Sequence, residues 1–248
     1  MADALEAIAR EIAPTGVLRA GINMGNILLV TGTDAAGDPV GVAPDLAREI
    51  ASGLGLPITF APFARPADLA DAASDDVWDI GLIGAEPARA EKIAFTAAYA
   101  EIEASYLVPA GSRIEAIADV DQPGVRISVS AGSAYDLWLE RNLRHATLVR
   151  SRSPADAEAV FVDGRLEALA ALREGLLASC DRLPGSRVLP GRFMAVQQAV
   201  GTQKAKPAGA TFLRAFVEEA KASALIGRLI DLHGMRGRLT VAPLGSLR

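Results

Sequence analysis

One arginine set in a turn of small residues is the group in this chain best suited to grip a charged ligand. Residues 80–89 read Ile80-Gly81-Leu82-Ile83-Gly84-Ala85-Glu86-Pro87-Ala88-Arg89. A short apolar strand ends in Gly84 and Ala85, and Arg89 stands in the polar turn before a second extended apolar run. Small residues let a ligand approach the backbone, and a guanidinium fork matches a carboxylate with two parallel hydrogen bonds. Two readings of Arg89 stand side by side. It is a ligand clamp, or it is a surface arginine paired with Glu86 or Glu91.

A second stretch, Ser130-Ala131-Gly132-Ser133-Ala134-Tyr135, falls where an apolar strand gives way to a helix. Unpaired backbone N–H groups at a helix start attract anions. Ser133 also has the right side chain and position to cap that helix, and the two roles are compatible. Gln197 and Gln198 lie in the apolar run 193–200, where a side-chain amide can bond a ligand or the backbone. Gln197 is the residue expected to face the ligand, although a slip of one position exchanges the two. Trp78 and Trp138 read as packing residues.

Other chemistries find little support. Cys180 is the single cysteine, so an internal disulfide is excluded, and nothing nearby makes it a nucleophile. His145 and His233 lack ligand spacing, so neither a metal nor another cofactor is expected. The formal net charge is -5 and no basic cluster is interleaved with aromatics, which argues against a nucleic-acid partner. Aromatic residues make up 5% of the chain, too few for a sugar site built on stacked rings.

The elements that must position these residues alternate between strand and helix, the pattern of an α/β fold with mostly parallel sheets. Strands are expected over 17–22, 56–60 and 79–83, with helices over 44–54 and 66–73. The run 105–109 reads as a crossing into a second lobe. That lobe has strands over 125–129, 147–150 and 165–172 and helices over 135–143 and 155–162. Residues 195–201 lead back, and 207–232 reads as one long helical stretch with Phe212, Phe216, Leu225, Leu229 and Leu232 on its apolar stripe. The expected lobes are 1–108 with 200–248, and 109–199, hinged near 107–110 and 197–201. Ligands of such folds sit at the carboxyl ends of strands, and closure is a hinge motion.

Residues 1–14 carry Leu5, Ile8 and Ile12 on one helical face, with Glu6, Arg10 and Glu11 on the other. An amphipathic helix over 3–13 is expected rather than a secretory signal or a membrane span. As it stands the chain is expected in the cytoplasm, or in the periplasm if a leader has been trimmed.

The segment Gly41-Val42-Ala43-Pro44-Asp45-Leu46-Ala47-Arg48-Glu49-Ile50-Ala51, followed by Trp78-Asp79-Ile80 and the turn through Arg89 to Phe95, resembles the bacterial solute-binding proteins of polar amino-acid ABC transporters. The likeness runs from about residue 17 to about residue 234. It implies a two-lobed, periplasmic-binding-protein-like fold of type II, with two mixed, mostly parallel sheets joined by a two-strand hinge. It also implies a non-enzymatic receptor whose partners are a small ligand and an ABC permease. In relatives an arginine six residues before Phe-Thr clamps the α-carboxylate, which here is Arg89 before Phe95-Thr96, with Gly84 and Ala85 at its strand end. The second half of that site falls on Gly132, Ser133 and Ala134, where relatives usually carry two adjacent hydroxyls and this chain has one.

The family's ammonium partners are changed. The aspartate that follows a Gly-Arg-x-Asp-Ala segment in relatives falls on Leu172 or Arg173, and the acidic residue near the first strand is replaced by Asn23, with Gly25 and Asn26 following. An ammonium without a partner is costly to bury. A carboxylate lacking a free amine is therefore the expected ligand, with a dicarboxylate between Arg89 and Arg173 as one form. Arg173 reads equally as a helix-start residue paired with Glu174. Two other functions are compatible with these residues: an enzyme of the cyclohexadienyl dehydratase kind, using Glu101, Glu103 or Glu174 as general acid, and a partner-binding protein that uses the amino-terminal helix.

Overall fold

The computed structural model describes residues 2–245. The chain runs through α1 (Ala2–Ile12), β1 (Leu18–Asn23), β2 (Gly32–Thr33), β3 (Pro39–Val40), α2 (Val42–Leu54), β4 (Ile58–Phe63), α3 (Pro66–Asp71), β5 (Ile80–Gly84) and β6 (Ile93–Val108). Then come β7 (Arg126–Ser130), α4 (Ala134–Asn142), β8 (Thr147–Ser151), α5 (Pro154–Asp163), β9 (Ala168–Leu172), α6 (Arg173–Arg182) and β10 (Arg187–Val188). Finally β11 (Met194–Gln203), α7 (Pro207–Ala222), α8 (Leu225–Leu232) and β12 (Thr240–Val241) follow. Two compact units result. The first holds residues up to Glu101 and from Gln197 onward, and the second holds Ile102–Val196. The chain leaves the first unit within β6 and returns within β11, the strands that also contain the expected boundaries at 108 and 200.

In the first unit β1 lies between β4 and β5, all three parallel, so their carboxyl ends share one edge. Residues 198–202 of β11 run antiparallel along β5, which makes the sheet mixed. Helix α2 forms because Leu46, Ile50 and Leu54 recur on one face, and Gly55 ends it in the left-handed conformation. Trp78 is completely buried and donates Nε1–H to the Leu69 carbonyl at 3.1 Å. Its ring needs the glycines beside it, because a Cβ on Gly21 would lie 3.2 Å from the indole.

A buried polar cluster ties this unit together. Asp79, just ahead of β5, accepts from the Arg19 backbone N–H at 2.9 Å, from Arg19 Nη2 at 2.8 Å and from Lys206 Nζ at 3.2 Å. Lys206 also donates to the Ile12 carbonyl at 2.7 Å, so the end of α1 is bonded to the start of α7. Glu11 completes that junction by accepting from the Gly209 N–H at 2.9 Å. The apolar face of α1 is therefore docked on its own unit.

In the second unit β9 and β8 flank β7 as parallel neighbours, and residues 104–107 of β6 pair antiparallel with β9. Its core joins Tyr106, Val108, Ile127, Val129, Tyr135 and Leu139, with half-buried Trp138 and Phe193 packed against them. Trp138 and Phe193 place their ring centroids 5.5 Å apart. Each unit thus contains one tryptophan.

Some local expectations change. The run 207–232 is two helices, because Ala224 takes a left-handed φ of 59° and breaks the hydrogen-bond ladder. The strand expected over 165–172 begins at Ala168, since Arg165 also turns left-handed, with φ 46°. The helix expected over 66–73 stops at Asp71 and tightens into a 3₁₀ turn, Ala72–Ser74. The crossing at 105–109 is the end of β6, whose apolar run has no internal break to read.

Three substitutions test this packing. Asp79→Ala leaves buried Lys206 without a carboxylate and takes one of two from Arg19, which keeps Asp76; it should cost about 3–5 kcal/mol, read as a lower urea midpoint. Gly209→Ala would place a Cβ 2.3 Å from Ile12 Cγ1, and overpacking of that kind costs about 1–3 kcal/mol. Gly227→Ala, with nothing within 4 Å of the new atom, should instead stabilise α8 by about 0.5–1 kcal/mol.

Candidate functional site

The shared carboxyl edge of β1, β4 and β5 brings Asn23, Phe63 and Gly84 to one end of the first unit's sheet. Directly beyond Gly84 the chain tightens into a 3₁₀ turn, Arg89–Glu91. Arg89 folds back over its own strand end and donates Nη1–H to the Gly84 carbonyl at 2.6 Å. The Ala85 N–H is held by the Gln197 carbonyl at 2.7 Å, so β11 fixes the other side of the turn.

Arg89 is a buried residue, 6% exposed, and so is Glu86 at 5%. The surface reading of Arg89 therefore does not describe this molecule. Burial pulls the guanidinium down to about 10, while the carboxylates of Glu86 and Asp71 act in the opposite direction. Even so it stays a cation at neutral pH. A buried guanidinium fixed by its own backbone is a preorganised receptor for an anionic group. Glu86, which the sequence offers only as a surface partner of Arg89, is buried beside it.

Asn23 and Asn26 use their side-chain carbonyls inside their own loop. Asn23 Oδ1 accepts from the Gly25 N–H at 3.2 Å, and buried Asn26 accepts through Oδ1 from the Leu28 N–H at 3.2 Å. Gly25 is required here, because a Cβ would lie 2.8 Å from the Ala64 carbonyl oxygen. Gln197 donates Nε2–H to Glu101 Oε1 at 3.1 Å, whereas Gln198 is the more deeply buried of the pair and stands opposite Gly84 in register. Thr96 pins the neighbouring strand: its hydroxyl donates to the Ala97 carbonyl and accepts from the Val200 N–H at 3.1 Å.

In the second unit the turn after β7 has the expected form. Ser133 caps α4 by accepting from the Asp136 N–H at 3.1 Å, and Gly132 takes a left-handed φ of 70°. Asp136 returns the contact, accepting from the Gly132 N–H at 2.9 Å and from Arg150 Nε at 2.9 Å. The amides of Ala134 and Tyr135, first in the helix, have no intrahelical acceptor. Ser130, Ser133 and Tyr135 are all buried, and burial pushes the Tyr135 hydroxyl up to about 12 while its bonds to the two serines oppose that shift. Tyr135 adds a third hydroxyl to the turn, which its helical position hid from sequence reading.

Arg173 opens α6 and turns onto the backbone of its own unit, with Nη1 2.9 Å from the Gly191 carbonyl and 3.3 Å from that of Leu189. The Ser105 hydroxyl donates to the same two carbonyls. Leu172, one of the two positions (with Arg173) on which the family's ammonium-binding aspartate is expected to fall, is packed against the apolar core of the second unit. Glu103 is exposed and pairs with Arg192 at 3.4 Å, so it does not occupy a dry pocket. Among the described residues no group of three or more His, Cys, Asp or Glu could hold a metal ion.

The model of the bacterial extracellular solute-binding proteins, family 3, matches residues 19–233. The chain belongs to that family. This solute-binding protein is also similar in structure to several solved proteins. A mutant of ArgBP from T. maritima shares 21% identity, covers 92% of this chain and 99% of its own, and superposes with a TM-score of 0.72. The ancestral amino acid-binding protein AncCDT-1, described as a precursor of cyclohexadienyl dehydratase, gives 20% identity, 92% and 99% coverage and a TM-score of 0.73. The amino acid ABC transporter substrate-binding protein AbpA from Streptococcus pneumoniae, bound to L-arginine, gives 16%, 90% and 96%, and 0.71. The fold is thus that of the type II periplasmic binding proteins. No curated protein matches the chain.

The Glu86–Arg89 pair generates a prediction of its own. Arg89→Met should lower the melting midpoint by leaving Glu86 without its cation, and adding Glu86→Gln should restore part of the loss. The coupling free energy from such a cycle should fall within about 0.5–3 kcal/mol for neighbouring charges; additive effects would show that the two do not interact.

Proposed function

We propose that this solute-binding protein takes up a small organic solute through its carboxylate, with the Arg89 guanidinium as anchor, in the service of an amino-acid-type ABC transporter. The observation that carries this reading is the buried guanidinium locked onto the Gly84 carbonyl at 2.6 Å. Gly84 and Ala85 keep the approach to it free of bulky side chains, and the Asn23 and Asn26 amides lie at or just beyond the carboxyl edge of the same sheet. In the second unit, Gly132, Ser133 and Ala134 supply a further anion-binding turn, with Ser130 and Tyr135 adding hydroxyls. Arg173 and Gln197 are positioning residues in this scheme, one holding the 189–191 backbone and the other holding the Ala85 amide.

The solute is either amino-acid-like or an amine-free organic acid. The packed Leu172 favours the amine-free acid, since it offers nothing to an ammonium. Buried Glu86 favours a solute that carries a cation as well. An enzyme of the dehydratase kind remains the alternative function, but exposed Glu103 gives it no support, because a general acid with a raised pKa needs a dry surrounding.

A thermal-shift series with matched pairs, amino acids beside their amine-free carboxylates, tests the scheme. Saturation at about a hundred times Kd adds about 2.7 kcal/mol, and each kcal/mol moves the midpoint by about 2–4 °C at this chain length. Arg89→Lys keeps the charge but loses the fork, so it should stay folded and lose most of the ligand shift. An undiminished shift in that variant would remove Arg89 from the site. Glu86→Gln should leave amine-free acids bound and weaken any amine-bearing solute.

A further inference from the structure

The second unit contains an opening that the proposed function does not use. It lies where the end of β6 meets the carboxyl ends of α5 and α6, and its volume is about 430 Å³. That is within the range of about 300–1,000 Å³ typical of small-molecule sites. Pro109, Phe161, Leu166 and Leu183 line it. Phe161 and Leu166 belong to a packed apolar cluster with Leu107, Leu169 and Leu176, so this part of the lining is firm core rather than loose loop. Val162 also lines it and is 45% exposed, one of the few large apolar side chains left in water.

One charged residue faces this apolar lining, Arg165. Neighbouring arginines are neutralised: Arg126 pairs with Glu167 at 2.9 Å and Arg182 with Glu158 at 2.6 Å. Arg165 has no carboxylate partner among the described residues. Its backbone is held in an unusual state as well. Helix α5 closes with the Leu166 N–H bonded to the Phe161 carbonyl at 3.0 Å, a motif whose left-handed position normally falls to glycine. Here Gly164 comes one residue too early and Arg165 takes the left-handed φ of 46°. Arg126 Nη2 donates to the Arg165 carbonyl at 2.7 Å and helps hold it there.

We propose that this groove binds a small amphipathic carboxylate, with its apolar body against Phe161, Val162, Leu166 and Leu183 and its head on Arg165. An apolar lining with a single unneutralised guanidinium is complementary to that class of molecule and to few others. A neutral apolar ligand leaves the cation unanswered, and a polyanion finds only one charge. The site is independent of Arg89, which lies in the other unit.

Octanoate titrated into the full chain and followed by ¹H–¹⁵N spectra is the test, with octanamide as the uncharged control. Octanoate should perturb the amides of residues 161–166, 183, 185 and 186, and octanamide should bind about tenfold more weakly or worse, the usual value of one charged hydrogen bond. Val162→Asp should reduce octanoate affinity by a similar factor. Arg165→Gly is the decisive variant, because it relieves the left-handed strain while removing the charge. It should raise the melting midpoint and still lose octanoate, whereas a purely structural arginine would not give that pair of results. Three outcomes overturn the proposal: no perturbation of the groove at millimolar octanoate, equal binding of octanamide, or shifts confined to residues 84–92.

Discussion

The carboxylate of Asp79, taken out of water at the entrance to β5, is the constraint on which the first unit is built. A carboxylate in that position is tolerable only when cations and amides surround it. Arg19 brings β1, Lys206 brings the start of α7 and, through the Ile12 carbonyl, the end of α1. The Thr202 hydroxyl adds β11 by donating to the Asp79 backbone carbonyl at 2.9 Å. Four elements are thus registered at one end of β5. The other end of the same strand carries Gly84 and the Arg89 turn, so the position of the candidate anchor follows from contacts made a whole strand away.

Each unit has a candidate anion-binding turn that already contains a carboxylate of its own. In the first, Glu86 is buried in the field of Arg89; in the second, Asp136 occupies the Gly132 amide. A buried cation with no counter-charge would be expensive to keep folded. An internal carboxylate lowers that cost, at the expense of competing with any anion that arrives. Affinity in such a site depends on the difference between two anionic partners, which makes Glu86 a natural place to tune the choice of solute.

Much of the architecture was legible in the sequence, because apolar periodicity and glycine stops report elements directly. Helix α2 and the strand before Gly84 could be placed from Leu46, Ile50, Leu54 and residues 80–83 alone. The spacing between Arg89 and Phe95-Thr96 likewise singled out the turn in which Arg89 is buried. What stayed hidden was conformational or tertiary. Nothing in the composition of 207–232 announces that Ala224 turns left-handed, nor that Arg165 does so one position after a glycine. Burial of Glu86 could not be read either, since a glutamate in a polar turn looks solvated until its neighbours in space are known. The family's amine position, expected at Leu172 or Arg173, was legible as a departure; the packing of Leu172 against the apolar core was not.

The two tryptophans have a use beyond packing. Trp78 lies wholly inside the first unit and Trp138 sits half-buried in the second, beside Phe193. The molecule therefore carries one natural fluorophore per unit. With either indole replaced by phenylalanine, emission reports on a single unit, and whether the halves unfold together or in sequence becomes an optical measurement needing no attached label.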